Sequence, residues 1–253
     1  MSSNDRAVKP TGIIFATVDC DADAIEDWNR WYDLEHLPPN IAIDGIMTGR
    51  RYYAGPVQHA ARLPATPMPG FANGQGVHVT IYTLCADPAA VIAEMTAERD
   101  NLEAAGRMFA PEKKVVRAGD AMNLSWSAAS PELKAEPADI PHIAHNAIRV
   151  VLRSRSDDSQ VEQDLAESVV AAAVMTKGVH AVMSHDAVFQ PSTSYDVYLL
   201  EGDGVESTQR CRATAPYPDD AEILLDATFE LIVPFDYSFA EAIRASDMPQ
   251  TIA

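Results

Sequence analysis

The order of strand-like and helix-like stretches constrains this chain most. Gly12–Cys20, Ile46–Ala54 and Val77–Leu84 are β-rich, and Val77–Leu84 alternates strictly. Val115–Trp126 is a weaker strand, with Gly119 as a candidate bulge. Ala24–Ile43 reads as a helix capped by Asp21 or Asp23, and Pro88–Met108 as a second, with Asp87 at its N-cap and Pro88 at its first position. The order is β-α-β-β-α-β, the ferredoxin-like split unit. It then recurs. Ala147–Arg155, Val179–Phe189, Tyr195–Leu200 and Ile223–Val233 read as strands, and Ser159–Thr176 and Glu206–Ala213 as helices. A shift of 133 residues lays Gly45-Ile46 on Gly178-Val179 with little identity elsewhere, a repeat of pattern rather than of sequence.

A sheet with helices on one face needs its other face covered. Two such units can cover each other. The expected fold is α+β: two tandem ferredoxin-like β-α-β-β-α-β units forming a pseudo-dimeric α+β barrel. The expected division is a first unit over 1–126 carrying the site, a proline-bearing linker over 127–144, and a second, degenerate unit over 145–253. The tail after Pro234 should form a short helix around Phe239–Arg244.

Composition narrows the function. The chain has 253 residues, 47% of them hydrophobic, enough for a packed core. A net charge of −18 disfavours nucleic acid and anionic membrane as partners. No apolar run is long enough to span a membrane, and MSSNDRAVKPTG has no apolar leader core, so a cytoplasmic location is expected. Three cysteines without CxxC spacing fit neither a disulfide framework nor structural zinc. The absence of GxGxxG, P-loop and GxSxG motifs disfavours nucleotide cofactors and a serine hydrolase. No metal and no cofactor are expected.

The first helix carries the densest signal. Trp28, Trp31, Tyr32 and Glu35 fall at i, i+3, i+4 and i+7, one helical face, with His36 at its border. Pro38-Pro39 is expected to end the helix, which would put His36 in the last turn, where the helix dipole favours a proton. On the third strand, Val77, Val79, Ile81 and Thr83 are expected against the helices. His78, Thr80, Tyr82 and Leu84 would then face a cavity between the sheets. Arg50 and Arg51 point to opposite sides of their strand. The loop Gly55–Gly76, rich in proline and glycine, is expected to be a lid bearing Phe71 and Met68. His142 and His145 have chelating spacing but lack helical context. His180 and His185 face opposite ways and cannot share a metal.

The string Trp28-x-x-Trp31-Tyr32-x-x-Glu35-His36-x-Pro38, followed by Gly45-Ile46 and Arg50-Arg51-Tyr52, resembles the EthD-like branch of the dimeric α/β-barrel superfamily. The likeness covers Ile25–Ala54; the rest agrees in element order only. The resemblance implies a cofactor-independent lyase or isomerase acting on an aromatic or cyclic apolar small molecule, in aromatic compound catabolism. His36, His78, Glu35 and Tyr82 would be catalytic. Trp28, Trp31, Tyr32, Arg51, Thr80 and Phe71 would bind substrate. Two alternatives remain open: a non-catalytic small-molecule sensing module, and a haem-dependent enzyme with His36 or His78 as axial ligand. A homodimer is a further option, because open sheet edges pair.

Overall fold

The structure is a computed structural model that describes residues 8–156 and 158–252. The leader reading above falls, up to position 7, outside the described residues. Eight strands close into one antiparallel barrel: β1 (Gly12–Cys20), β2 (Ile46–Tyr53), β3 (His78–Leu84), β4 (Lys114–Ala129), β5 (Ala147–Ser154), β6 (Val179–Ala187), β7 (Thr193–Leu200) and β8 (Ile223–Leu231), in the order β1-β3-β2-β8-β5-β7-β6-β4. The first four strands lie together as β4-β1-β3-β2 and the last four as β8-β5-β7-β6. Two seams join these halves. One runs along β4 and β6 from Met122↔Ala187 to Ala129↔Ala181, and the other is a short contact at Tyr52↔Leu231 and Tyr53↔Glu230. No helix among the described residues is long and apolar enough to cross a membrane.

Helices coat the outside. In the first half, α1 (Ile25–Trp31) runs through a π-helical turn (Tyr32–His36) into α2 (Leu37–Ile41). The short α3 (Pro56–Ala60) follows β2, and α4 (Pro88–Ala104) precedes β4. The second half has α5 (Ser159–Leu165), a π-helical turn (Ala166–Val170), α6 (Ala171–Val174) and α7 (Gly204–Thr214). Last comes α8 (Phe239–Arg244), the tail helix read from the sequence.

Three sequence expectations are corrected here. The barrel is not hollow. Ile13, Phe15, Val79, Ile81, Met122, Val150, Tyr195, Val197, Leu225 and Phe229 fill it, because eight strands leave an interior just wide enough for side chains. The faces of β3 are therefore exchanged: Val79 and Ile81 point into the barrel, and Tyr82 and Leu84 pack under the helices. Second, Pro38 and Pro39 do not end the helix. The Leu37 N–H donates to the Tyr32 carbonyl five residues back, and the two prolines sit in the first turn of α2, where a missing N–H is tolerated. Third, the bulge lies near Arg117 rather than at Gly119, since the register of β1 against β4 slips between Thr17↔Ala118 and Val18↔Val116.

The loop between β2 and β3 is a plug. Phe71 belongs to the barrel core. The buried Arg62 guanidinium donates to the carbonyls of Phe71, Gln75 and Gly76 at 2.9, 2.6 and 2.7 Å. Leu63 forms a β-bridge with Asp226. This is tight anchoring for a segment expected to move as a lid.

Candidate active site

The residues singled out on helix one meet the outer face of the first half's sheet, so the candidate site is the layer between them. Five rings pack there. Trp28 lies 5.1 Å from Trp31, 5.3 Å from Tyr32 and 5.4 Å from Phe109. His36 stacks on Trp31 at 4.9 Å and meets Tyr32 edge-on at 4.7 Å. The π turn brings this about: the extra residue in the turn rotates His36 back over Trp31 and Tyr32, instead of leaving it at a helix end. The dipole argument for a proton on His36 therefore fails. Burial, reinforced by the Lys114 and Arg51 cations, pulls its pKa down to about 4, so the imidazole is neutral at pH 7. Its Nδ1 is buried without a hydrogen-bond partner.

Beneath the rings lies a polar chain. Arg51 points outward from β2 and donates to Asp33 Oδ1 at 2.6 Å, to the Asn29 carbonyl at 3.3 Å and to Asn29 Oδ1. Its guanidinium sits 4.2 Å from the Tyr32 ring centroid. Tyr237 donates to the other Asp33 oxygen at 2.6 Å. The Tyr32 and Tyr82 hydroxyls are 3.4 Å apart. Burial drives the Tyr82 phenol well above its ordinary pKa, so it remains a hydrogen-bond donor.

Not every predicted residue joins this group. His78 is only 4% exposed and lies against Asn29, 3.4 Å from Nδ2 to Nε2, and against Phe239. Burial lowers its pKa to about 3. It shares the layer with His36 but touches different neighbours. Glu35 turns outward and accepts from Arg107 at 2.6 Å, both side chains being over 40% exposed. Thr80 is buried opposite Arg51 on the neighbouring strand. Phe71 is in the barrel core, away from the rings.

Sequence reasoning missed Asn29, Asp33, Phe109, Lys114 and Tyr237. Asn29 and Asp33 stand four apart on the same helix, a signal that was legible. Tyr237 was not, because the tail folds back across the first half: Phe239 stacks on Tyr53 at 3.9 Å, and Arg244 pairs with Glu26 at 2.6 Å.

Larger open volumes lie in the second half. One cleft of about 540 Å³ runs between α5 and the 218–222 loop, over Arg153 and Arg155. Another of about 390 Å³ adjoins it at Ser168 and Pro218. A third, of about 520 Å³, contains His180. These positions test the haem alternative. The first two clefts are lined by no histidine. His180 is engaged at both nitrogens, with the Ala144 carbonyl at 3.0 Å and Glu201 at 2.9 Å. His36 packs against the Trp31 and Tyr32 rings, and the cavity beside His78 is about 20 Å³, room for one water. As they stand, neither His78 nor His180 combines a free ring nitrogen with open space for a haem.

No known family matches the sequence, and no curated protein matches it. Solved structures do match in fold. A candidate chlorite dismutase aligns with a TM-score of 0.54 at 10% identity, over 92% of this chain and 98% of that one. A candidate monooxygenase from Fusobacterium nucleatum aligns at 0.52 and 9% identity, over 90% and 94%. A dye-decolorizing protein from V. cholerae aligns at 0.51 and 9% identity, over 92% and 96%. At such identities the likeness is one of fold alone: an α+β chain closed into an eight-stranded antiparallel barrel.

Proposed function

We propose that the chain is a cofactor-independent lyase or isomerase of the EthD-like kind, acting on an aromatic or cyclic small molecule in the first half's helix–sheet layer. In this reading the chain is two tandem ferredoxin-like units, 1–126 and 145–253, joined by 127–144, and the second unit serves as scaffold. The sheet order β4-β1-β3-β2 repeated as β8-β5-β7-β6 supports it. The observation that carries the functional reading is the neutral, half-buried His36 with an unpartnered Nδ1 in a nest of aromatic rings.

His36 takes a proton from a carbon next to the substrate carbonyl and returns it at the conjugated position, so the isomerisation consumes nothing. The Tyr32–Tyr82 hydroxyl pair donates to the oxygen that becomes negative. Arg51, held by Asp33 and Asn29, fixes the Tyr32 ring. Glu35 holds the mouth of the site through Arg107 and does not touch the imidazole. His78 supports Asn29 from behind.

The test is hydrogen exchange in D2O, followed by NMR on a panel of cyclic and aryl ketones. The wild type should catalyse exchange at carbon. His36→Gln should lower the rate by about 10²–10⁴-fold while keeping the fold. Wild-type exchange in that variant would remove His36 from the chemistry.

A further inference from the structure

The nest around His36 is rich in donors and poor in acceptors. The Trp28 indole N–H is buried, in a residue 2% exposed, and makes no hydrogen bond. An indole nitrogen can only donate, so nothing but an acceptor can satisfy it. Lys114, at the start of β4, brings a cation to the same rings, with Nζ 5.5 Å from the Trp28 centroid and 5.1 Å from that of Trp31. The positive charge of Arg51 is already met by Asp33 at 2.6 Å. Lys114 has no carboxylate within ion-pair distance among the described residues; Arg99 and Glu103 on α4 act on it in opposite senses.

Phe109 is the ring of this cluster that comes from outside helix one. It packs 5.4 Å from Trp28 and 5.7 Å from Trp31, carried by the short segment between α4 and β4. That segment is tied down at Arg107, whose carbonyl accepts from the Trp31 indole at 2.6 Å and whose side chain pairs with the half-exposed Glu35. Gly106 precedes it at φ +68°, the left-handed conformation that favours glycine.

We infer that this site takes an aromatic or cyclic molecule bearing an anionic oxygen, a carboxylate, phenolate or enolate, received by Trp28 Nε1 and Lys114 while its ring takes the place of Phe109. The inference rests on the functional reading above and adds the charge of the substrate. A neutral ring would leave Lys114 uncompensated, and a cationic one would be repelled by Lys114 and Arg51. An anion beside His36 also offsets the two cations that depress its basicity, and so raises its proton affinity in the bound state.

The experiment compares benzoate, benzamide and benzylamine, which share one ring and differ in charge. Binding is followed by NMR of the indole N–H signals, assigned with Trp→Phe variants. Benzoate should bind about tenfold or more tighter than benzamide, and benzylamine should not bind. Lys114→Met should remove the advantage of benzoate and leave benzamide affinity unchanged. Trp28→Phe, which keeps a ring and loses the donor, should weaken benzoate selectively. Equal affinities for benzoate and benzamide, an insensitive Lys114→Met variant, or no saturable benzoate binding would each overturn the inference. The two claims fail separately. Benzoate selectivity with full exchange activity in His36→Gln would sink only the catalytic role, and loss of exchange in that variant without benzoate selectivity would sink only the anionic substrate.

Discussion

The two helix–sheet layers share a chain path and differ in how their buried polar groups are met. Both helical segments contain a π turn, the second beginning 134 residues after the first, and both lead into a glycine at φ +92° before the next strand. In the second layer most buried charges pair within the layer, with Asp196 Oδ1 and Arg155 Nε left without a hydrogen bond. Arg149, 1% exposed, forks onto Asp226 at 2.9 and 2.7 Å, and Arg212 adds 2.8 Å to the same carboxylate. Arg153 bonds Glu162 at 2.6 Å and Asp196 at 3.2 Å, and Tyr217 donates to Asp196 at 2.6 Å. In the first layer an aromatic cluster lies beside the Arg51–Asp33 pair, and Trp28 Nε1 and His36 Nδ1 are left without partners. The second π turn places Val169 and Val170 where the first has Glu35 and His36.

That contrast breaks most visibly under substitution. Asp226→Ala strands two arginines, one of them fully buried, and should cost about 3–5 kcal/mol of stability in urea unfolding. It should leave benzoate binding at the first layer intact in the protein that remains folded. Arg51→Met should cost somewhat less, about 3 kcal/mol, because Tyr237 still donates to Asp33. Tyr82→Phe should cost about 1 kcal/mol or less, since the hydroxyl pair at 3.4 Å is weak, yet it should slow exchange where Asp226→Ala does not. At the small end, Glu35→Gln breaks an exposed pair and should change stability by about 0.5 kcal/mol or less.

Acid sharpens the comparison from another side. Burial depresses the pKa of His36, His145 and His185 to about 4, and of His59 and His78 to about 3, from an ordinary 6.5. Each binds its proton more weakly folded than unfolded. Their contribution to stability is therefore complete above about pH 6.5 and is lost as the pH falls through 6.5 toward 4. Thermal melts across that range should show a declining midpoint. Replacing His36 with Gln should flatten the decline in part.

Much of this was legible in the sequence. The alternation of Val77–Leu84, the caps at Asp87 and the paired Gly45 and Gly178 located the strands and helices to within a few residues. The clustering of Trp28, Trp31, Tyr32 and His36 was visible as helical spacing. The assignment of strand faces failed because polar residues on a strand were taken to face a hollow barrel, whereas barrel closure demands apolar filling and sends Tyr82, His78 and Arg51 under the helices. The π turn was illegible, since Pro38-Pro39 reads locally as a stop. Lys114 and Tyr237 were illegible because only the tertiary path brings a strand start and a chain tail to helix one.

The most direct test uses the three tryptophans as reporters. Trp28 and Trp31 sit in the first layer, and Trp126 packs against the core of the second. On titration with benzoate, the account predicts that the Trp28 indole N–H signal moves strongly downfield as it gains an acceptor, that Trp31 responds as Phe109 is displaced, and that Trp126 stays still. A fixed Trp28 signal, with changes confined to Trp126 and the neighbourhood of the Arg153 cleft, would contradict it and move the ligand site to the second half.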